Sequence, residues 1–200
     1  MPWSQLFHLG DLSLTLPTGC AIAGWLLASR AWRAALGWSL VFGLTLALVA
    51  ATKVAFLGWA TGLPALGYRA VSGHAAGFTA AFPTLCWLLT QRRTPPVRVG
   101  AAVGALGLAV VVATALVHAG EHTPAEVIAG WIIGMAAFLC AVHLTEDAPA
   151  PPTGRAIAGA ALAFGATAWA LRTVSVGYWM IRLALALSGN PYPYSWDNCS

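Results

Sequence analysis

Charged residues are scarce in this chain, and their scarcity indicates which solvent surrounds it. Only 8% of its 200 residues are charged, whereas 59% are hydrophobic, and the mean hydropathy is +0.75. A soluble domain carries about 25% charged residues, so the composition excludes an ordinary soluble domain and indicates a protein of the lipid bilayer. The net charge of +4 is small and spread over loops, so we expect no nucleic-acid partner. The length predicts a single domain, residues 1–200.

Cysteine pairs and a leader sequence are also missing. Cys20, Cys86 and Cys140 lie inside apolar runs, Cys199 stands alone near the end, and no CxxC occurs. This usage indicates neither a disulfide nor a zinc knuckle. The first ten residues contain no Lys or Arg, so we expect no cleavable signal peptide.

Long apolar runs are abundant. A bilayer span needs about 20 mainly apolar residues. We therefore predict an all-α, polytopic membrane protein with about six transmembrane helices in one bundle, at residues 12–29, 34–57, 71–90, 98–119, 124–145 and 155–172. A further apolar piece, residues 174–189, is short for a span and fits either an interfacial helix or the end of the sixth helix. We expect residues 174–200 to form an interfacial or extra-cytoplasmic tail.

The loop arginines predict the orientation. They follow the first, third and fifth predicted helices, at Arg30, Arg33, Arg92, Arg93, Arg98 and Arg155. Cytoplasmic loops are enriched in Arg and Lys, so these loops should face the cytoplasm and the chemically interesting polar residues the exterior. The excess of Arg over Lys and the Ala/Gly/Leu-rich helices suggest a GC-rich bacterial genome. We expect a multi-pass protein of the bacterial inner (plasma) membrane with its site facing the periplasm.

Four polar or small residues lie near the end of the second predicted helix and at the start of the third. Lys53 is the only lysine and, taken alone, fits a side chain that snorkels to the headgroups. Ser72 and Gly73, in VSGH, fit an N-cap serine and a permissive glycine, but a helix N-terminus also binds phosphate. His74 fits a hydrogen bond between helices or a proton carrier near neutral pH.

The stretch HAGEHTPAEV contains a second cluster of polar residues. Residues 123–126, TPAE, have the pattern of a capping box with proline at the first helical position. That pattern accounts for Glu126 without any chemistry, but it leaves His118 and His122 unexplained. A continuous helix would put all three on one face, at a spacing that also suits a metal ion. Pro124 argues against such a helix.

In this order, Lys53, the SGH of residues 72–74 and His122-x3-Glu126 resemble the motifs of the integral-membrane branch of the type 2 phosphatidic acid phosphatase superfamily. That superfamily includes vanadium haloperoxidases and glucose-6-phosphatase, and its motifs read K-x6-R-P, P-S-G-H and S-R-x5-H-x3-D. The resemblance covers a phosphatase-like core at about residues 45–145. The departures from the motifs are Ala60 and Thr61 for Arg-Pro, Val71 for Pro, Ala115 and Leu116 for Ser-Arg, and Glu126 for Asp.

The resemblance implies a metal-independent phosphatase that needs no cofactor. His122 would attack phosphorus and form a phosphohistidine, Glu126 would orient it, and His74 would act as acid and then as base. The phosphate-binding residues would be Lys53, Ser72 and Gly73, with Arg69 and His118 in place of the two missing arginines. The substrate would be a phosphomonoester or diphosphate of a membrane lipid, such as a polyprenyl carrier, phosphatidate or a phosphorylated glycolipid.

Three other hypotheses stay open. The missing arginines also fit a catalytically weak or inactive family member that binds or transports a lipid phosphate. A zinc-dependent membrane hydrolase would use His74, His118, His122 and Glu126. An intramembrane serine protease with Ser72 as nucleophile is disfavoured, because position 70 is not glycine and Lys53 would have no role. No prediction is made for protein partners or oligomeric state.

Overall fold

The computed structural model describes residues 7–146, 148 and 153–195, and throughout that part the only regular elements are helices. A 3-10 turn, Phe7–Gly10, precedes the first helix, and another, Pro64–Leu66, lies between the second and third. The α-helices within the described residues are α1 Leu12–Ala28, α2 Trp32–Trp59, α3 Gly73–Leu89, α4 Pro95–His118, α5 Pro124–Thr145, α6 Thr153–Leu171 and α7 Val176–Ser188. The predicted all-α class is confirmed.

The lengths of the helices fit a multi-pass membrane protein. Four are long and apolar enough to cross a bilayer, namely α2, α4, α5 and Gly154–Leu171 of α6. Helices α1 and α3 have 17 residues each, about 25 Å at 1.5 Å per residue, which is close to the lower limit for a span. Helix α7 has 13 residues and is too short. The six predicted spans therefore correspond to four full-length helices and two shorter ones.

Local capping explains where the helices begin. Ser72 is the N-cap of α3, and its hydroxyl accepts the N–H three residues later over 3.4 Å. The helix therefore begins at Gly73, not at the predicted residue 71. Helix α4 begins at Pro95, earlier than the predicted residue 98, because proline fits the first helical turn. Helix α5 begins at Pro124 as predicted, with a complete capping box.

Helix α3 is central, and α1, α2, α4 and α5 pack around it, while α6 packs on α1 and α7 on α2. Two glycines bring α5 against the backbone of α3. A Cβ atom at Gly130 would lie 2.5 Å from the carbonyl oxygen of Ser72, and one at Gly134 would lie 2.6 Å from that of Ala76. The Ser72 N–H also donates to the carbonyl of Glu126 over 3.1 Å. The first turns of α3 and α5 are thereby held together.

The arginine-containing loops lie at the other end of the bundle. Arg30 and Arg33 line a cavity together with Leu144 and Ala148, so the α1–α2 loop meets the end of α5. The Gln91 side-chain amide, after α3, donates to the carbonyl of Ala148 over 2.9 Å. The ends of α1, α3 and α5 therefore meet here, and the starts of α3 and α5 lie at the opposite end.

Helix α7 is separate from α6 and returns along α2. Ser175 is its N-cap, so the last apolar piece does not continue the sixth helix. After α7, the Asn190 side-chain amide donates to the carbonyl of Gly58 over 2.7 Å, and the Tyr194 N–H donates to that of Leu57 over 2.8 Å. These bonds fasten the described end of the chain to the end of α2.

Candidate active site

A tight turn brings His122 to the start of α5. Helix α4 ends at His118, and Gly120 has a φ of 74°, a conformation that glycine adopts without strain. The Glu121 N–H donates to the carbonyl of Leu116 over 3.1 Å and so closes the helix end. The helix is therefore interrupted before Pro124, as that proline predicts.

The carboxylate of Glu126 accepts hydrogen bonds from several groups of the site, and its side chain is only 3% exposed. Oε2 accepts hydrogen bonds from His122 Nδ1 at 2.8 Å and from the Thr123 N–H at 3.2 Å. Oε1 accepts from Arg69 twice, from the backbone N–H at 3.0 Å and from Nε at 3.4 Å. The capping box and the histidine contact thus use one carboxylate, and capping does not compete with chemistry here.

The contact with Glu126 determines which nitrogen of His122 is available. A carboxylate can only accept, so Nδ1 carries the proton and Nε2 keeps a lone pair. Burial lowers the pKa of His122, and the charges of Lys53 and Arg69 act in the same direction, although the bond to Glu126 opposes them. The imidazole is therefore neutral and nucleophilic at neutral pH.

His74, in the first turn of α3, lies beside His122. The two ring centroids are 5.5 Å apart and the rings are inclined at 63°. Nε2 of His74 lies 3.0 Å from Oδ1 of Asp11, a residue 63 positions away in sequence. Asp11 was not among the predicted site residues, because an acidic residue just before an apolar run has the pattern of an ordinary helix cap.

Two neighbouring cavities meet at Lys53. The first, which we call the polar cavity, has a volume of about 230 Å³ and is lined by Lys53, Phe56, Leu57, Arg69, Ala70, Glu121, His122 and Glu126. The second, the apolar groove, has a volume of about 360 Å³ and is lined by Leu12, Leu16, Leu46, Ala47, Val49, Ala50, Lys53, Gly73, His74, Val176 and Met180. The two histidines thus line different cavities, and Lys53 lines both.

Six of the eight predicted site residues line these two cavities: Lys53, Arg69, Gly73, His74, His122 and Glu126. Ser72 is fully buried, and its hydroxyl caps α3. His118 lines another cavity, between α4 and α5, where its Nδ1 lies 3.0 Å from the carbonyl of Thr114. The structure therefore does not bring His118 together with the other six.

The alternative zinc site lacks an assembled ligand set. Across the described ranges, no group of three His, Cys, Asp or Glu side chains is close enough to hold a metal ion. His118 lines a separate cavity, and Nδ1 of His122 is bonded to Glu126. The protease hypothesis meets a similar difficulty, because the Ser72 hydroxyl is buried and hydrogen-bonded as a cap.

The two positions at which the family motifs have arginine differ in their surroundings. Leu116 is fully buried in a hydrophobic cluster with Phe78 and Val112, so a charge there would have no partner. Ala60 is exposed and ends α2 in a left-handed conformation, with a φ of 56°. The cationic side chains that line the polar cavity are Lys53 and Arg69.

Comparison with known proteins gives two matches. The family model of the PAP2 superfamily matches residues 56–150, a range that contains the starts of α3 and α5. An uncharacterized 22.5 kDa protein in the cps region of Klebsiella pneumoniae is 36% identical over 152 residues, which make up 76% of this chain and 73% of that protein. No solved structure gives a significant match.

Proposed function

Because the chain belongs to the PAP2 superfamily, we propose that it hydrolyses a phosphomonoester or diphosphate of a membrane lipid through a phosphohistidine, without a metal ion. Membership supports a phosphatase-type hydrolase acting on lipid phosphate. The phosphohistidine route is supported chiefly by one observation. The hydrogen-bonded pair of His122 and Glu126 lies beside His74 and lines a cavity that Lys53 and Arg69 also line.

In the first step, Nε2 of His122 attacks phosphorus, and the bond between phosphorus and the leaving oxygen breaks. The 2.8 Å bond from Nδ1 to Glu126 supports this role, because it leaves the lone pair on Nε2. The anionic Glu126 would also stabilise the positive charge that develops on the ring. The structure accommodates glutamate in place of the motif aspartate, because the longer side chain contacts both His122 and Arg69.

His74 completes both steps as the proton carrier. It protonates the departing oxygen, which is an alkoxide for a phosphomonoester and a phosphate oxygen for a diphosphate. In the second step it takes a proton from the water that attacks phosphorus, and the bond between phosphorus and Nε2 of His122 breaks. Inorganic phosphate leaves and His122 is regenerated. The 5.5 Å separation of the two rings supports simultaneous contact of both with one phosphoryl ester.

The phosphoryl oxygens are bound by Lys53 and Arg69, with the N–H groups at the start of α3 around Gly73 as further donors. Both cations line the polar cavity. Ser72 contributes by capping the helix that presents these N–H groups. The position of His118 in a separate cavity gives no support to the phosphate-binding role expected of it.

The substrate class follows from the apolar groove. His74 lines this groove, whereas His122 lines the polar cavity. A phosphate bound near His122 would therefore direct its leaving group toward His74 and its apolar chain into the groove between α1, α2 and α7. The groove supports a lipid, with a polyprenyl carrier, phosphatidate and a phosphorylated glycolipid as candidates.

The proposed location is the bacterial inner membrane, with the site at the exterior face. The loop arginines at the opposite end of the bundle support this orientation, and the Klebsiella relative supports a bacterial setting.

Phosphate release from a panel of lipid mono- and diphosphates, in detergent with a chelator present, tests the proposal. We expect release by the wild type, none by His122→Ala, and wild-type release by His143→Ala. His143 is a matched control, because its side chain is 88% exposed and it lies near the arginine-containing end. Release by His122→Ala at the wild-type rate, with the variant folded, would refute the phosphohistidine route. Loss of all release in chelator, with recovery on adding zinc, would favour the zinc hydrolase.

A second candidate is a family member that binds or transports a lipid phosphate without hydrolysing it. The observation that favours it is the loss of both motif arginines, since a lysine does not reproduce the planar fork of a guanidinium. This candidate predicts no release from any lipid by the folded wild type. It also predicts binding of a lipid phosphate that weakens in Lys53→Ala.

A further inference from the structure

Asp11 occupies a helix-capping position but does not cap the helix. It precedes α1 as the N-cap residue, yet its side chain makes no capping hydrogen bond. An N-cap aspartate ordinarily accepts an N–H of the first helical turn. Instead, Oδ1 of Asp11 lies 3.0 Å from His74 Nε2, and Oδ2 lies 3.0 Å from His8 Nδ1. The carboxylate is directed at two imidazoles.

The turn before α1 packs tightly on the start of α3 and holds Asp11 in this position. A Cβ atom at Gly10 would lie 2.9 Å from the Cβ of His74 and 3.2 Å from its carbonyl oxygen. Only a residue without a side chain permits this approach. Leu9, in the same turn, packs on the cluster that contains Ala75 and Phe78. The contact between Asp11 and His74 is thus part of a packed interface.

We propose that Asp11 is a positioning residue for the reaction, orienting the imidazole of His74 and stabilising its protonated form. The inference rests on the proposed phosphatase function and adds a residue to it. The site then contains two carboxylate–histidine pairs, Glu126 with His122 for phosphoryl transfer and Asp11 with His74 for proton transfer. Because Nε2 of His74 is bonded to Asp11, Nδ1 is the nitrogen that gives and takes the proton.

The surroundings of His74 explain why such a partner is needed. Burial acts most strongly against a positive charge on His74. His122, from the α4–α5 turn, and Lys53, from α2, act in the same direction, whereas Asp11 favours the charge. A general acid has to hold its proton until the leaving oxygen develops charge. Asp11 is the carboxylate in contact with His74, and its negative charge favours the protonated ring.

The pH dependence of kcat and KM for the best lipid phosphate tests this role in Asp11→Asn and Asp11→Glu. We expect kcat of Asp11→Asn to fall about tenfold or more, with KM within about twofold, because the acid loses its electrostatic support. The basic limb of the kcat profile should move to lower pH, a change that a purely structural role would not produce. Asp11→Glu should recover part of both effects. Glu146→Gln is the matched control, because it removes the carboxylate of an exposed pair with His143.

Each outcome separates this inference from the function on which it rests. If the wild type releases phosphate, His122→Ala does not, and Asp11→Asn retains the wild-type kcat and pH profile, the role of Asp11 is refuted and the phosphatase stands. If Asp11→Asn loses activity only because it unfolds at a lower temperature, and Asp11→Glu fails to restore the profile, Asp11 is structural and the inference is overturned. Release by no form of the protein would overturn both.

Discussion

Replacing Glu126 by glutamine tests whether one carboxylate serves both the helix start and the chemistry. Four donor groups converge on its two oxygens, two on each. A glutamine amide keeps one oxygen and turns an NH₂ group toward the other two donors. In either orientation at least one backbone N–H, that of Thr123 or that of Arg69, faces the NH₂ group instead of an acceptor. An unsatisfied buried donor costs about 1–3 kcal/mol, so we expect a loss of that size in the free energy of unfolding.

The effect on catalysis depends on which donors face the amide nitrogen. If that nitrogen turns toward His122, Nδ1 must accept instead of donate, and the ring proton moves to Nε2, where it blocks attack on phosphorus. If it turns toward Arg69, two N–H donors face an NH₂ group and the side chain shifts. In both cases the anion that stabilises the charged ring is lost. We expect kcat to fall at least about a hundredfold, or ~2.7 kcal/mol in the activation barrier.

Phosphate release and thermal unfolding in detergent measure the two effects separately. The control is Thr123→Ala in the same capping box, which removes the acceptor of the Glu126 N–H. It should cost about 1 kcal/mol of stability and leave kcat within about threefold. If Glu126→Gln keeps kcat within that same range while folded, Glu126 serves only the helix start, and our reasoning about His122 is wrong.

Two further predictions concern pH and helix packing. Because burial first, and then the charges of Lys53 and Arg69, lower the pKa of His122, the acid limb of kcat/KM should lie below the ordinary histidine value of about 6.5. The unfolded chain then binds the proton more readily, so the free energy of unfolding should also decrease as pH falls through this range; an acid limb above pH 7 would contradict the assignment. Gly134→Leu should lower both the unfolding temperature and phosphate release, because its Cβ would lie 2.6 Å from a backbone oxygen of α3. Gly104→Leu in α4 is the control, since no atom lies within 4 Å of the added Cβ, and equal losses in both variants would refute the packing argument.

Several features of the molecule were predictable because they depend on short stretches of sequence. Apolar runs separated by polar breaks predicted the helices, since a bilayer leaves the backbone no other partner than itself. The TPAE stretch predicted the start of α5, and the cap at Ser72 predicted a helix start near that residue. The contact between His122 and Glu126 was also predictable, because a spacing of four residues at the start of a helix brings the two side chains together. Their roles in catalysis stay a prediction.

Other features depend on contacts between residues far apart in the chain. Arg69 and Glu126 are separated by 57 positions, and Asp11 and His74 by 63. The sequence contained all four residues but no signal that paired them. In particular, His118 is as near to His122 in sequence as Glu126 is, yet the turn at Gly120 leaves it in another cavity.

There is a physical reason why the helices were predictable from the sequence and the contacts between distant segments were not. In lipid, hydrophobicity determines that a segment spans but not which face it turns toward its neighbours, because lipid tails are as apolar as the other helices. The sequence by itself therefore determined the membrane setting, the helices and the local pair at the start of α5. The close packing of α3 against α5 at Gly130 and Gly134, and of the Gly10 turn against His74, was decided only in the tertiary structure. Those contacts depend on how small residues from distant segments fit together, and they bring Asp11, His74, His122 and Glu126 into one site.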